Sequence, residues 1–409
     1  MKLQLTPPDQ TLLQSEIAIT GSKSETNRLL LLQAIFPNIK IANISNSDDA
    51  EFMMLGLQKA RGTVDIHHAG TAMRFLTSYF ASQEGKEVVL TGSNRMKERP
   101  IKVLVDALKS LGANIQYENK EGYPPLKIKG SKLTQSKATL PADISSQYIS
   151  SLLLIAPSLE KGLELELVGK ITSVPYIKMT LALLDEIGVK TSFNGNMISV
   201  SAKNKVEETT MVVESDWSAA SYFYSLVALS DVGSQIRLSA YKEKSLQGDS
   251  ILSTIYKDFG LETNFGANHI VLDKKTVPKN TFVSYDLANA PDIAQTIAVT
   301  CFGLGMACQL TGLHTLPIKE TDRLAAMKKE LEKMGANVSI THNSLTLEPS
   351  KAIRSGIAID TYNDHRMAMA FAPLAMKKSL FINDAGVVSK SYPDFWKDLE
   401  KTGIPVTEL

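Results

Sequence analysis

Residues 331–340 read LEKMGANVSI. A helix-period run ends at Met334, Gly335 follows, and apolar and polar residues then alternate. A glycine there suits the left-handed residue just past a helix end, and the alternation reads as a strand with one buried face. The same pattern recurs in LKSLGANIQYE (108–118), LLDEIGVKTSF (183–193) and YKDFGLETNF (256–265), with Gly112, Gly188 and Gly260 at the turn. Weaker copies, LQKARGTVDI (57–66) and LEKTGIPVTEL (399–409), carry Gly62 and Gly403. The six glycines are 50, 76, 72, 75 and 68 residues apart, a regular enough spacing to predict six related α/β units.

Each helix of these copies starts after a polar entry: SNSDDAEF, KERPIKVL, SVPYIKMT, LQGDSILS, KETDRLAA and KSYPDFWK. Pro100 falls near a first helical turn, where its missing N–H costs nothing, and Asp249 is expected as an N-cap. Six units divide into two domains of three. The break falls near 214–216, where a strand-like run gives way to a new helix. Residues 1–19 are extended and are expected to join the second half. The domains are therefore 20–214, and 1–19 with 215–409, and the chain crosses between them twice.

With 409 residues, 44% hydrophobic and 21% charged, the chain has the size and composition of a two-domain globular protein. A net charge of +1 provides no overall field toward nucleic acid or a membrane, so anion binding has to come from local clusters. The start, MKLQLTPPDQ, has no apolar signal core. The most apolar run, TIAVTCFGLGMACQL (296–310), is too short to span a bilayer and is expected to be one buried helix with Cys301 and Cys308 on one face. Two cysteines without a CxxC pattern imply a reducing, cytoplasmic setting.

Helix entries attract anions through unpaired N–H groups and the positive end of the helix dipole. Several entries here also carry cations. GSKSETNR (21–28) resembles phosphate-binding chemistry but lacks the second glycine of the Walker pattern. HAGTAMR (68–74) offers Gly70 for close backbone approach, with Thr71 and Arg74 as anion ligands. RMKERP (95–100), KETDR (319–323) and NDHRMAMAF (363–371) add Arg99, Lys319, Glu320, Arg323, His365 and Arg366. SSQ (145–147) contributes hydroxyls and an amide, DLANAPDIAQ (286–295) places Asp286 before a buried helix, and Lys390 opens KSYPDF. The six histidines show no metal-ligand spacing, and no G-x-S-x-G elbow occurs. So many cations around a few carboxylates fit a transferase or isomerase working between domains on two phosphorylated or carboxylated small molecules. Asp286 and Glu320 are the acid–base candidates.

These motifs, taken in order from about residue 19 to 398, resemble the 5-enolpyruvylshikimate-3-phosphate synthase family of the shikimate pathway to chorismate and the aromatic amino acids. The resemblance implies an α/β fold of two domains, each of three βαβαββ units, the inverse α/β barrel of enolpyruvyl transferases. It implies transfer of the enolpyruvyl group of phosphoenolpyruvate to the 5-hydroxyl of shikimate 3-phosphate, with release of phosphate and without metal or organic cofactor. Shikimate 3-phosphate would be held by Lys23, Ser24, Arg28, Ser145, Ser146, Gln147, Ser173, Tyr176, Asp286 and Lys319. Phosphoenolpyruvate would be held by Lys23, Gly70, Arg99, Gln147, Arg323, Arg366 and Lys390. Lys23, Asp286, Glu320 and His365 would serve the reacting centre. Only small-molecule partners are expected, and a monomer. Three positions depart from the family pattern: His68 in place of Asn, Phe75 in place of Pro and Thr315 in place of Asn. The sister family acting on UDP-N-acetylglucosamine usually carries a reactive Cys in the loop matching RMKERP, and this loop has none. A non-catalytic RNA-binding reading is disfavoured by the neutral net charge and the lack of clustered aromatics.

Overall fold

The computed structural model describes residues 1–142, 145–169, 171, 174–350 and 352–409. The chain divides into two compact units, one formed by Gly21–Val213 and one by Met1–Thr20 with Glu214–Leu409. Strands β1 (Leu3–Leu5) and β2 (Gln14–Ile17) lie in the latter. The chain then enters the former with α1 (Lys23–Ile35), β3 (Ile39–Ala42), α2 (Asp48–Leu57), β4 (Arg61–Asp65), α3 (Gly70–Ser82), β5 (Glu87–Thr91), α4 (Asn94–Lys97), α5 (Lys102–Ser110), β6 (Asn114–Tyr117) and β7 (Leu126–Lys129). It continues with β8 (Lys137–Pro141), α6 (Ser146–Ile155), β9 (Leu163–Val168), α7 (Val174–Glu186), β10 (Thr191–Asn194), β11 (Met197–Val200) and β12 (Thr209–Val212). The return half holds α8 (Trp217–Leu229), β13 (Gln235–Ser239), α9 (Leu252–Ile255), β14 (Leu261–Phe265), β15 (His269–Lys274), β16 (Phe282–Asp286), α10 (Ala294–Leu304) and β17 (Ala307–Thr311). It ends with α11 (Arg323–Lys333), β18 (Val338–Ile340), β19 (Leu345–Leu347), β20 (Ile357–Ile359), α12 (His365–Phe371), β21 (Leu380–Ile382), α13 (Phe395–Glu400) and β22 (Val406–Glu408).

Five four-stranded sheets share one order, seen in β4-β5-β7-β6 and β16-β17-β19-β18: a parallel pair, then two strands added antiparallel in turn. This is the βαβαββ unit. Two units close across the ends of the chain. Strand β1 completes β20-β21-β1-β22, and β2 starts the sheet continued by β13, β15 and β14. The sixth unit is reduced among the described residues to the parallel pair β12–β3 with α1 and α2. Gly62 accordingly lies inside β4 rather than at a helix end, although its φ of +88° is left-handed.

The first helix of each unit is interior. Helices α3 and α12 are buried on every side, and α1, α6, α8 and α10 over most of their length, as apolar residues all round the helix dictate. Among their buried polar side chains, small hydroxyls bond across helix pairs: Ser78 to Ser151, Ser221 to Thr296 at 3.0 Å, and Thr300 to Ser225 at 2.7 Å. The outer helices end as the repeat predicts. Gly112, Gly188 and Gly335 each donate to the carbonyl three residues back, and the next residue donates to the one five back, the two bonds of a left-handed glycine cap.

The segment 296–310 corrects the sequence reading. Helix α10 stops at Leu304, where Gly305 at φ +71° makes the same two-bond cap to Phe302 and Cys301. Cys308 therefore lies on β17, not on the helix, though both cysteines are buried. Asp249 is not an N-cap either. It sits within a 3-10 turn, Gly248–Ile251, with its carboxyl buried. Pro100 precedes the N-cap Ile101 of α5 by one residue. Where the chain enters the Gly21–Val213 unit, a Cβ on Gly21 would overlap Asn43 O and meet Val213 Cγ1 at 2.7 Å, so this glycine serves the packing of the crossing strand.

Candidate active site

In the Gly21–Val213 unit, the sequence-predicted residues collect at the N-terminal ends of the interior helices. Lys23 and Ser24 form the first turn of α1, both half-buried. Arg28, one turn on, is buried and donates from Nε to Thr180 Oγ1 (2.8 Å), from Nη1 to Ser24 O (2.7 Å) and from Nη2 to Ser150 Oγ (2.9 Å) and Tyr176 O (3.4 Å). Its guanidinium thus fixes the starts of α1 and α7 against α6. Burial lowers its pKa to about 10, which leaves it a cation at neutral pH.

Gly70 starts α3 with Arg99 against it. A Cβ there would stand 2.6 Å from Arg99 Nη1, so the absent side chain makes room for the guanidinium. Arg74 donates from Nη1 to Gly70 O at 3.0 Å, and its buried Nε has no hydrogen-bond partner among the described residues. Burial, then the charge of Arg99, lowers the Arg74 pKa to about 10. Two guanidinium groups at one helix start make a strong local anion attractor. Ser145 caps α6 by accepting from Gln147 N, Ser146 is buried in the first turn, and Gln147 Nε2 donates to Thr71 Oγ1 at 3.2 Å. That last bond joins the starts of α6 and α3. Ser173 lies outside the described residues.

In the second unit the centre is a residue not singled out in the sequence, Asp292, in the 3-10 turn Pro291–Ile293 ahead of α10. Its carboxylate takes Arg323 Nη1 at 2.9 Å, Arg366 Nη2 at 3.1 Å and Lys319 Nζ at 3.7 Å. Burial opposes its ionisation, but the charges of Arg366, Lys319 and Arg323 outweigh that and hold it well below the usual carboxylate range. Arg323, itself buried, also donates to Asp364 Oδ2 (2.7 Å) and Glu320 Oε2 (2.8 Å), and these carboxylates raise its pKa against the effect of burial. Arg366 bonds Asp292 O (3.2 Å) and Ser218 Oγ (3.3 Å), joining the starts of α12, α10 and α8. Lys390 Nζ donates to Asn363 O and Oδ1 at 2.7 and 2.8 Å. It grips a turn in which Tyr362 and Asn363 hold φ of +52° and +57°, a conformation rarely adopted by non-glycine residues and often found at functional sites. His365, the first residue of α12, is buried with Nδ1 4.0 Å from Asp364 Oδ1. Asp286 lies outside this ion-pair network among the described residues. It ends β16, is exposed, and accepts from Ala288 N at 3.0 Å.

The model of the EPSP synthase (3-phosphoshikimate 1-carboxyvinyltransferase) family matches residues 57–399. A 3-phosphoshikimate 1-carboxyvinyltransferase of Bacteroides fragilis is 40% identical over 410 residues, covering 99% of both chains. One from Mannheimia haemolytica is 34% identical, covering 98% of this chain and 99% of that one. The chain belongs to the EPSP synthase family. An EPSP synthase structure from Acinetobacter baumannii superposes over all of both chains with a TM-score of 0.81 at 21% identity. The enolpyruvyl transferase NikO of Streptomyces tendae superposes with 0.74 at 13% identity over 99% and 98% of the chains. Both likenesses concern the fold.

Two of the three departures from the EPSP synthase pattern have local explanations. Phe75 is buried with Arg28 over its ring, 5.5 Å from the centroid, so the ring supports a cation already committed to hydroxyls and carbonyls. His68 Nε2 stands 3.3 Å from Asp48 Oδ2, with Phe52 edge-on at 5.7 Å. Thr315 Oγ1 is buried without a hydrogen-bond partner among the described residues, and nothing in the structure explains this departure. Sequence reading missed Asp292, Ser150, Thr180 and Ser218. The one available signal was Asp292 itself, a carboxylate just after a proline at the start of a buried helix.

Proposed function

We propose that this chain transfers the enolpyruvyl group of phosphoenolpyruvate to the 5-hydroxyl of shikimate 3-phosphate, releasing phosphate, as a cytoplasmic monomer without metal or organic cofactor. The observation that carries the reading is the Glu320–Arg323–Asp292–Arg366 network, which holds a carboxylate able to exchange protons among fixed guanidinium groups. Lys23, Ser24, Arg28, Ser145, Ser146, Gln147, Ser173, Tyr176, Asp286 and Lys319 bind shikimate 3-phosphate. Lys23, Gly70, Arg99, Gln147, Arg323, Arg366 and Lys390 bind phosphoenolpyruvate.

The chemistry asks C3 of phosphoenolpyruvate to gain a proton while the 5-hydroxyl loses one and attacks C2. A tetrahedral ketal phosphate results. Phosphate then leaves and the methyl group returns a proton. Glu320 gives and retakes that proton, while Asp286 orients or deprotonates the hydroxyl, with Lys23 and His365 beside the reacting atoms. Fixed cations stabilise the charge that develops on carboxylate and phosphate. Proton NMR of a mixture with both substrates tests the proposal. Vinyl resonances of a new enolpyruvyl ether are expected, and spectra unchanged after long incubation would contradict it.

A further inference from the structure

The stretch SLQGD, 245–249, is built as a clamp on the start of α8. Gln247 Oε1 accepts from Trp217 N at 2.9 Å, and its Nε2 donates to Ser215 O at 2.9 Å. Ser245 Oγ donates to Glu214 Oε2 at 2.6 Å, and Glu214 Oε1 takes the Trp217 indole N–H at 2.8 Å. The third side chain of the clamp, Asp249, receives the hydroxyl of Ser218 on Oδ2. Asp249 is 4% exposed, and its other oxygen, Oδ1, is buried with no hydrogen-bond partner among the described residues. The Ser218 hydroxyl also accepts from Arg366 Nη2, so the order is Asp249, Ser218, Arg366, Asp292.

An orphaned carboxyl oxygen in a buried, tightly bonded loop is a costly feature, and it lies one hydroxyl away from a residue proposed above for the enolpyruvyl donor. We infer that Asp249 is a positioning residue for Arg366, acting through the Ser218 hydroxyl, and that it holds Arg366 for the donor in its neutral, protonated form. This rests on the donor-binding role proposed for Arg366. Two buried carboxylates share that guanidinium. Asp292 is fully engaged by three cations, so it remains charged. A second negative charge at Asp249 would neutralise the guanidinium further and repel the donor's carboxylate and phosphate.

The groups facing Asp249 are Asp216, the N-cap of α8, Ser218 of α8, Asp292 and Arg366, with Tyr222 of α8 also facing Arg366, while α9 (LSTI) carries no titratable group. Burial, then the charge of Asp292, pushes Asp249 up to about 7, against the pull of Arg366 and the Ser218 hydroxyl. Its neutral form therefore persists well above the usual carboxylate range.

The test is the KM for each substrate, from phosphate release between pH 6 and 8.5, for wild type, Asp249→Asn and Ser218→Ala, with unfolding midpoints. In wild type the KM for phosphoenolpyruvate should rise on the order of tenfold across this range, with the KM for shikimate 3-phosphate moving far less. Asp249→Asn, locked neutral, should lose that rise while keeping the low-pH value. Substrate phosphates also titrate near pH 6, but identically for both proteins, so the difference isolates Asp249. Ser218→Ala should raise the KM for phosphoenolpyruvate at every pH. A wild-type profile in Asp249→Asn, or equal changes in both KM values together with a lower midpoint, would overturn the inference. A carboxyl carbon resonance that titrates near pH 7 and vanishes in Asp249→Asn is expected whether or not turnover occurs. Its absence also overturns the inference, whereas its presence without phosphate release in wild type would fault the proposed reaction instead.

Discussion

Glu320 receives Arg323 Nη2 at 2.8 Å, which fixes the orientation of its carboxylate. Glu320→Gln should cut turnover about a hundredfold or more, as loss of general acid–base catalysis does, while shikimate 3-phosphate still binds in calorimetry. Asp292 poses a different question, because its charge is part of the fold. Removing one partner of a buried ion-pair network typically costs about 3 kcal/mol, and Asp292→Asn should approach that value at neutral pH in urea unfolding. A carboxylate whose folded pKa is depressed contributes stability above its ordinary value of 3.8 and loses it as pH falls below. The gap between wild type and Asp292→Asn should therefore shrink below pH 4, where the Asp292 carboxylate begins to be protonated in the unfolded chain. Asp249 carries the opposite sign. Its folded pKa is raised, so the stability it contributes is lost as pH rises toward 7, and Asp249→Asn should gain on wild type over that range. The site cations were legible because Lys23, Arg99, Arg323 and Arg366 stand in dense local motifs. Asp292, Ser150, Thr180 and Ser218 were not, because what gives them a role is the packing of helices remote in sequence.

The repeated helix–glycine–strand pattern was legible for a related reason: a left-handed helix end is a local requirement that leaves a local mark. Gly188 and Gly260 separate its two components. At Gly188, with φ of +76°, an added Cβ meets only the end of the flexible Lys203 side chain, whose Nζ, 3.2 Å away, donates to Gly188 O at 2.9 Å. At Gly260, with φ of +83°, it would overlap the backbone carbonyl of Thr276. Gly188→Ala should thus cost about 1–2 kcal/mol, the left-handed penalty alone, and Gly260→Ala clearly more, both read from urea unfolding. Equal costs would mean that space around the turn is irrelevant. The run at 296–310 was misread because α10 and β17 are both buried, so the composition stays apolar across Gly305 and no change of period announces the turn. The weak copy at Gly62 was misplaced because the unit that should own it has two strands, and the strand after α2 starts the next sheet.

Across the whole molecule, the five like-ordered sheets and the reduced sixth serve to bury the interior helices and bring their first turns together at one end of each unit. GSKS, AGTAMR and SSQ meet there in one unit; PDIAQ, NDHR and the start of α8 meet in the other. The repeats could be counted from sequence, whereas the closure of two sheets by the first residues of the chain could not, since it depends on pairing β1 with β21 and β22 and β2 with β13. The proposed function is one group transfer between two anionic substrates. Phosphate release measures it most directly, with each substrate omitted in turn and with UDP-N-acetylglucosamine offered in place of shikimate 3-phosphate. Release is expected only when phosphoenolpyruvate and shikimate 3-phosphate are present together, in step with product formed. Release with UDP-N-acetylglucosamine, or none with the expected pair, would contradict it.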